Sequence, residues 1–521
     1  MTGSALIAGT QSKGLTCWFT KFSLGISLAS LWFSSNCASE QAGFEPKRYQ
    51  LAHSVESEPL VFSSETGTSI LVMGRAEESL MYSVINPVAD RAVDSRPLPT
   101  GVVFYDQCDS TLQAVPGVCV LTHRGVYVLR ADLATDHKPM INIETLYRGS
   151  PLLGPKPRDF ARDINGDGRT DFLLPHAAGW TAVVGLGSQP IHSSLSVPPK
   201  MTLGEKNVSY TPRDPIVDDI DGDGLLDISF VVNKDLVSYL QLAGGRFRET
   251  GLRTSIAIPL ASDIEQLRLS ETDQSQLEFE ELEEARDFNG DGVLDLLTNR
   301  TISSGVFDRR SEYHLYIGTR RDGRVEFTDR PHSIIESEGI QFEPIINDID
   351  GDGALDITTP STEIGLGRVI GALLSGRISI DVQAYRLDAL ARFPDAADFE
   401  SDMRVEFDLS TGFARTPAMR MADFNRDGLA DLLLQNNAEE LAIHLGDGGS
   451  GLFRKKPHTL QQSLPNNGLM VHAVDVTADQ RADLLIHYGS TDGAEKSNLL
   501  LVLESEMVNE QAENAIDSAR P

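Results

Sequence analysis

DINGDGRTD, residues 163–171, is written again as DIDGDGLLD at 219–227, DFNGDGVLD at 287–295, DIDGDGALD at 348–356 and DFNRDGLAD at 423–431. Counting each copy from its first aspartate, Asp or Asn stands at positions 1, 3, 5 and 9, and Gly at position 6. Hard oxygen ligands alternating along a tight turn suit calcium, which takes six to eight oxygens at about 2.3–2.6 Å. The glycine lets the backbone turn sharply, so that the position-7 carbonyl can also face an ion. The expected ligands in the first copy are Asp163, Asn165, Asp167 and Asp171, with the carbonyl of Arg169. In the second they are Asp219, Asp221, Asp223 and Asp227 with Leu225, and in the third Asp287, Asn289, Asp291 and Asp295 with Val293. The fourth offers Asp348, Asp350, Asp352 and Asp356 with Ala354; the fifth offers Asp423, Asn425, Asp427 and Asp431 with Leu429.

An EF-hand shares the first half of this pattern, but it requires a bidentate Glu at position 12 and a helix on either side. Position 12 here is Leu174, Phe230, Thr298, Thr359 and Leu434. Short apolar runs follow the loops, among them FLLP, ISFVV and LLLQ, and such runs bounded by turn signals read as buried strands. The loop therefore joins two strands of a hairpin. One DxDxDG alone could be a solvated acidic turn; five copies sharing four ligand positions are not accounted for that way.

The first aspartates lie 56, 68, 61 and 75 residues apart, a period that means a solenoid or a propeller. Each interval holds an apolar run before the loop, one after it, and two weaker ones downstream; around the second loop these begin PIVDDI, ISFVV and LVSYLQL. Four short strands per repeat make a propeller blade, and radial repetition leaves few exposed strand edges. The loops, their place between the first two strands and the period resemble the FG-GAP/VCBS repeats of integrin-like β-propellers. The resemblance implies calcium in about five blade hairpins and a role in binding; it names no ligand.

Less complete copies extend the count. LVFSS, SILVMG and SLMYSVI keep the strand rhythm with SETGT in place of the aspartate loop. GVVFYDQCDS, GVCVLTH and GVYVLRA form a second such copy, with Asp106 57 residues before Asp163. DVTADQRAD at 475–483 keeps Asp475, Asp479 and Asp483, with Thr477 at position 3 and Gln480 where Gly belongs. The expected fold is an all-β propeller of four-stranded blades over residues 48–505, with eight blades, or seven if the first copy is only a closing ribbon. The last repeat supplies three strands, so an N-terminal strand at 48–55 is expected on its outer edge beside residues 498–503. An acidic run, EFEELEE at 278–284, reads as a solvated strand or helix face, and ISIDVQAYRLDALARF at 378–393 as part of a long outer hairpin.

At the amino terminus, Lys13 and Lys21 precede an apolar stretch at 22–33, followed by small residues at 34–39. This is the order of a secretory signal, assigned to residues 1–38. The apolar stretch is too short to span a bilayer. Cleavage near Ala38 and lipidation at Cys37 are the two alternatives, SSN being a poor lipobox. Cys17 goes with the signal, and Cys108 and Cys119 are expected to form a disulfide. Residues 506–521 read as a polar tail.

The chain has 45 Lys and Arg against 76 Asp and Glu, a formal charge of −31 that repels nucleic acid and anionic membranes. Its 40% hydrophobic content suits a packed core rather than a disordered acidic chain. No GxSxG, HExxH, Walker loop or dinucleotide fingerprint is present. The sequence reading is an exported calcium-binding propeller, periplasmic, anchored at the outer membrane or extracellular. It would act as a binding, adhesion or scaffold module for a protein or glycan. The alternative is a carbohydrate-active enzyme, a polysaccharide lyase or hydrolase, on the same scaffold.

Overall fold

The computed structural model describes residues 43–507 except 65–66, 88–93, 109–116, 131–138, 144–153, 177, 186–188, 204–207, 264, 266–276, 306–307, 364–366, 368–370, 372–373, 409–412 and 450. The proposed signal, Cys37 and the tail beyond Met507 lie outside the described residues, as do parts of the first two interstrand turns.

The fourth blade shows the plan. Ile216–Asp218, Asp227–Val232, Asp235–Tyr239 and Leu252–Ser255 pair antiparallel in sequence order, and the aspartate loop joins the first two. Both faces of every blade are covered by neighbours, so the second strands are apolar on successive residues rather than alternate ones. Phe172 to Leu174, Leu432 to Leu434 and Leu484 to Ile486 are all at most 1% exposed. Each such side chain contributes about 1.5–3 kcal/mol by leaving water.

Eight blades form a ring. They span residues 60–97, 102–142, 161–196, 216–255, 278–338, 340–414, 419–461, and 471–505 with 44–50. The core is correspondingly divided into eight apolar seams, each filled from two consecutive blades. The seam that closes the circle packs Leu485, Leu500 and Val502 of the last blade against Ile70, Val72 and Ile85 of the first. The first copy is thus a full blade, which settles the count at eight.

Closure comes from the N-terminal strand, as expected, but four residues earlier in the chain. Phe44–Gln50 pairs antiparallel with Leu499–Ser505, from Phe44 opposite Ser505 to Gln50 opposite Leu499. Pro46 is tolerated because this is an edge strand whose outer side needs no donor. Leu51 and Val55, whose apolar character suggested a strand at 48–55, instead plug the closing seam. From there the chain crosses to the first blade, where Ser54 and Glu56 donate to the Arg75 and Met73 carbonyls at 3.0 and 2.9 Å. It passes so close that a Cβ on Gly74 would lie 1.7 Å from the Ser54 carbonyl oxygen.

Two other expectations change. The acidic run is the first strand of the fifth blade, Glu278–Arg286, and it is not simply solvated. Glu280 is buried; its side chain accepts hydrogen bonds from Thr298 and Tyr316, and its backbone carbonyl accepts the Ala261 N–H of the chain leaving the fourth blade. Of the residues read as part of a long outer hairpin, 378–385 lie in the sixth blade's third strand, Arg377–Tyr385, which pairs with a long fourth, Phe399–Asp408, and 386–393 lie in the connection between the two.

Cys108 and Cys119 form a disulfide between the first two strands of the second blade, with Cα atoms 5.5 Å apart. Asp106 lies within the first of these strands rather than in a loop, and it accepts the Phe160 and Ala161 N–H groups of the next blade at 2.7 Å each. No helix among the described residues is long and apolar enough to cross a membrane.

Candidate functional site

All five loops fold in one way. The position-1 aspartate turns its carboxylate back into the loop and accepts the position-6 N–H at 2.7–3.0 Å. Left-handed backbone at positions 4 and 6 makes this possible: Gly166 and Gly168 have φ of 73° and 75°. Position 4 is Arg426 in the fifth loop, held at φ 60°. The position-5 aspartate accepts the position-7 N–H, from Arg169, Leu225, Val293, Ala354 or Leu429, at 2.8–3.0 Å.

Position 9 does more than the sequence pattern shows. Asp171, Asp227, Asp295, Asp356 and Asp431 are buried at the start of the second strands. One carboxylate oxygen accepts the position-2 N–H at 2.8–3.1 Å. The other accepts an N–H just beyond the third strand, from Gly185, Gln241, Gly318, Leu387 or Gly446, at 2.7–2.9 Å. Burial pushes Asp227 and Asp295 up to about 6, and Asp356 and Asp431 up to about 7, against the pull of these N–H groups. A dication alongside would favour the ionised form.

Two loops bring three carboxylates together, Asp219, Asp221 and Asp227 in one and Asp348, Asp350 and Asp356 in the other, with oxygens within 4.8 Å of one another. Asp350 Oδ1 is buried and accepts no hydrogen bond, while its Oδ2 pairs with Arg386 Nε at 2.9 Å, so one oxygen is left for a metal ion. These residues fit a hard metal ion. In the other three loops position 3 is Asn165, Asn289 or Asn425, whose amide donates to the position-5 carboxylate at 3.0–3.3 Å.

The loops are also tied to one another around the ring. Leu355 N–H donates to the Phe288 carbonyl at 2.8 Å, Ala430 N–H to Ile349 at 3.3 Å, and Ala482 N–H to Asp423 at 2.7 Å. Between the third and fourth blades the Gln241 amide bridges the Ile164 and Leu226 carbonyls, at 3.0 and 2.8 Å. Between the fourth and fifth, Arg320 Nη2 bridges the Asp219 and Gly292 carbonyls, at 2.6 and 2.8 Å. Neither Gln241 nor Arg320 carries a signal in the loop pattern.

A second feature the sequence did not show lies along the first strands. A cavity of about 920 Å³ is lined by Glu58, Glu343, Arg420 and His472, from the approaches to the first and sixth blades and the first strands of the seventh and eighth. Arg420 donates to the Met419 and Gly468 carbonyls, and burial lowers its pKa against the opposing pull of Glu58 and Glu343. His472 Nδ1 is 3.4 Å from Glu58, its Nε2 is buried without a hydrogen bond, and its ring stacks on His487 at 5.4 Å. Burial, with the neighbouring His472, pushes His487 down to about 3, which keeps it neutral.

Residues 423–486, the fifth aspartate loop through the second strand of the last blade, match the FG-GAP-like repeat family. That match, together with eight four-stranded blades closed in a ring, supports a β-propeller of the FG-GAP/VCBS kind. No curated protein matches it. Among solved structures it is similar to an Agrocybe aegerita lectin described by its recognition of non-reducing terminal N-acetylglucosamine. That likeness has 13% identity over 81% of this chain and 91% of that one, with a TM-score of 0.38. It is also similar to the V. cholerae biofilm matrix protein Bap1, at 12% identity over 90% and 89% of the two chains, with a TM-score of 0.35. A third likeness is to BBS1N in a complex with ARL6DN, at 10% identity over 90% and 97%, with a TM-score of 0.34. At so low an overlap these likenesses carry nothing about what this chain binds.

Proposed function

We propose that this chain is an exported propeller that holds calcium in its five aspartate loops and binds a protein or glycan ligand as an adhesion or scaffold module. The observation that carries this reading is the gathering of aspartate carboxylates in loops that are themselves linked from blade to blade. Carboxylates so close repel one another by roughly 4 kcal/mol per pair at 4 Å in an intermediate dielectric. A calcium ion would convert that repulsion into a cross-link between the first two strands of a blade. The ligands would be the aspartates and asparagines at positions 1, 3, 5 and 9, with the position-7 carbonyl.

The test is thermal unfolding of the full chain with calcium and with excess chelator, beside a glycan and protein binding screen under both conditions. Chelation should lower the melting temperature and weaken binding. An unchanged melting curve would sink the calcium reading.

The 920 Å³ cavity supports the second reading, a polysaccharide lyase or hydrolase, since Glu58, Glu343, Arg420 and His472 meet there. Polysaccharide turnover abolished by Arg420→Met and by Glu58→Gln, in variants that still melt normally, would favour the enzyme.

A further inference from the structure

We propose that the loop at 475–483 carries its own cation, the Arg481 guanidinium taking the part that a metal ion would take in the other five loops, so that the closing blade is locked without metal. This rests on the calcium reading of those five. The worn loop keeps their conformation despite lacking both glycines: Ala478 and Gln480 have φ of 61° and 70°. It also keeps their hydrogen bonds. Gln480 N–H donates to Asp475 at 2.8 Å, Arg481 N–H to Asp479 at 2.9 Å, and Val476 and Ser505 N–H groups to Asp483 at 2.8 and 2.7 Å. Side chains rarely adopt the left-handed region that this shape demands twice, so something other than backbone preference holds it.

Arg481 supplies that hold. Its Nε and Nη2 donate to Asp479 Oδ2 at 2.9 and 2.6 Å, and its Nη1 reaches the Met507 carbonyl at 3.4 Å. A guanidinium is charged at any working pH, and such charge-assisted contacts are the stronger class of hydrogen bond. The loop also fits a metal poorly. Thr477 stands at position 3, and its hydroxyl turns to Asp475 at 3.5 Å.

Arginine at position 7 is not enough by itself. Arg169 occupies the same place in the first aspartate loop, but it is exposed, and its backbone N–H donates to Asp167. The difference comes from the surroundings. Residues 505–507 leave the last strand past Arg481, offering it the Met507 carbonyl and the charge of Glu506. The cation is therefore built in at the blade where the two ends of the chain meet, and the ring stays shut when calcium is scarce.

Amide hydrogen exchange on the full chain, with calcium and with excess EGTA, tests this in wild type, Arg481→Leu and Arg481→Lys. In wild type, chelation should leave residues 476–481 within about twofold while the five other loops exchange about tenfold faster, as locally opened segments do. In chelator, Arg481→Leu should speed exchange at 476–481 about tenfold and Arg481→Lys less, with the other blades as internal controls for folding. Unchanged exchange at 476–481 in Arg481→Leu would overturn the proposal. So would opening of the wild-type loop together with the other five on chelation. Five loops indifferent to chelator, with Arg481→Leu still opening its own, would overturn the calcium reading and uphold the arginine lock.

Discussion

At the scale of the residue, the aspartates of one loop do two different jobs. Asp291 meets the Val293 N–H on the exposed side of its loop. Asp295 is buried and satisfies the Phe288 and Gly318 N–H groups. Asp295→Ala strands two donors in a dry seam and should cost about 2–4 kcal/mol with or without calcium. Asp291→Ala should cost more stability in calcium than in chelator, where it loses only the exposed hydrogen bonds from Val293 and Asn289. Denaturant unfolding of both variants in the two buffers separates the roles, and equal chelator dependence would show that there is only one.

Among the elements, the second blade stands apart because a disulfide joins the two strands that an aspartate loop joins in five others. Its first two strands are joined by the Cys108–Cys119 disulfide, buried in the seam shared with the third blade. Asp106 meanwhile makes the tie to the next blade that loop residues make elsewhere. For so short an enclosed segment the disulfide should contribute about 2–3 kcal/mol. Replacing both cysteines with alanine should move the denaturant midpoint accordingly and leave the effect of calcium unchanged. Two free thiols in the oxidised protein would contradict the bridge.

For the molecule as a whole, stability depends on keeping the circle shut, since each blade buries its faces only against its neighbours. Starting the chain at Glu58 removes the strand Phe44–Gln50 and takes Leu51 and Val55 out of the closing seam. That variant should melt far lower and less cooperatively, with the loss spread around the ring. Ending the chain at Met507 should leave the melting temperature unchanged. Cutting after Ser505, which looks equally harmless in the sequence, is not equivalent. Glu506 N–H donates to the Gly43 carbonyl at 2.8 Å, and Met507 packs in the seam between the last two blades. Calorimetry of the three truncations orders them directly.

The features legible in the sequence are the ones that nine consecutive residues can carry. An aspartate loop needs only its own backbone and side chains to form, so its spelling, its recurrence and the apolar strand after it were enough for the fold class and for a count of eight blades or seven. The unpaired edge of the last blade even called for a strand from the other end of the chain. Its register was hidden, because Leu51 and Val55 are apolar for the sake of a seam rather than a strand. Nothing local marks Glu58, Glu343, Arg420 and His472 as neighbours, since four separate blades must assemble before they meet. Arg169 and Arg481 make the same point within one motif. They occupy the same position, yet Arg481 clamps Asp479 and reaches the Met507 carbonyl while Arg169 is exposed. Local hydrogen bonding can be spelled in a repeat, but what a side chain finds beyond its own loop is decided by the chain that folds against it.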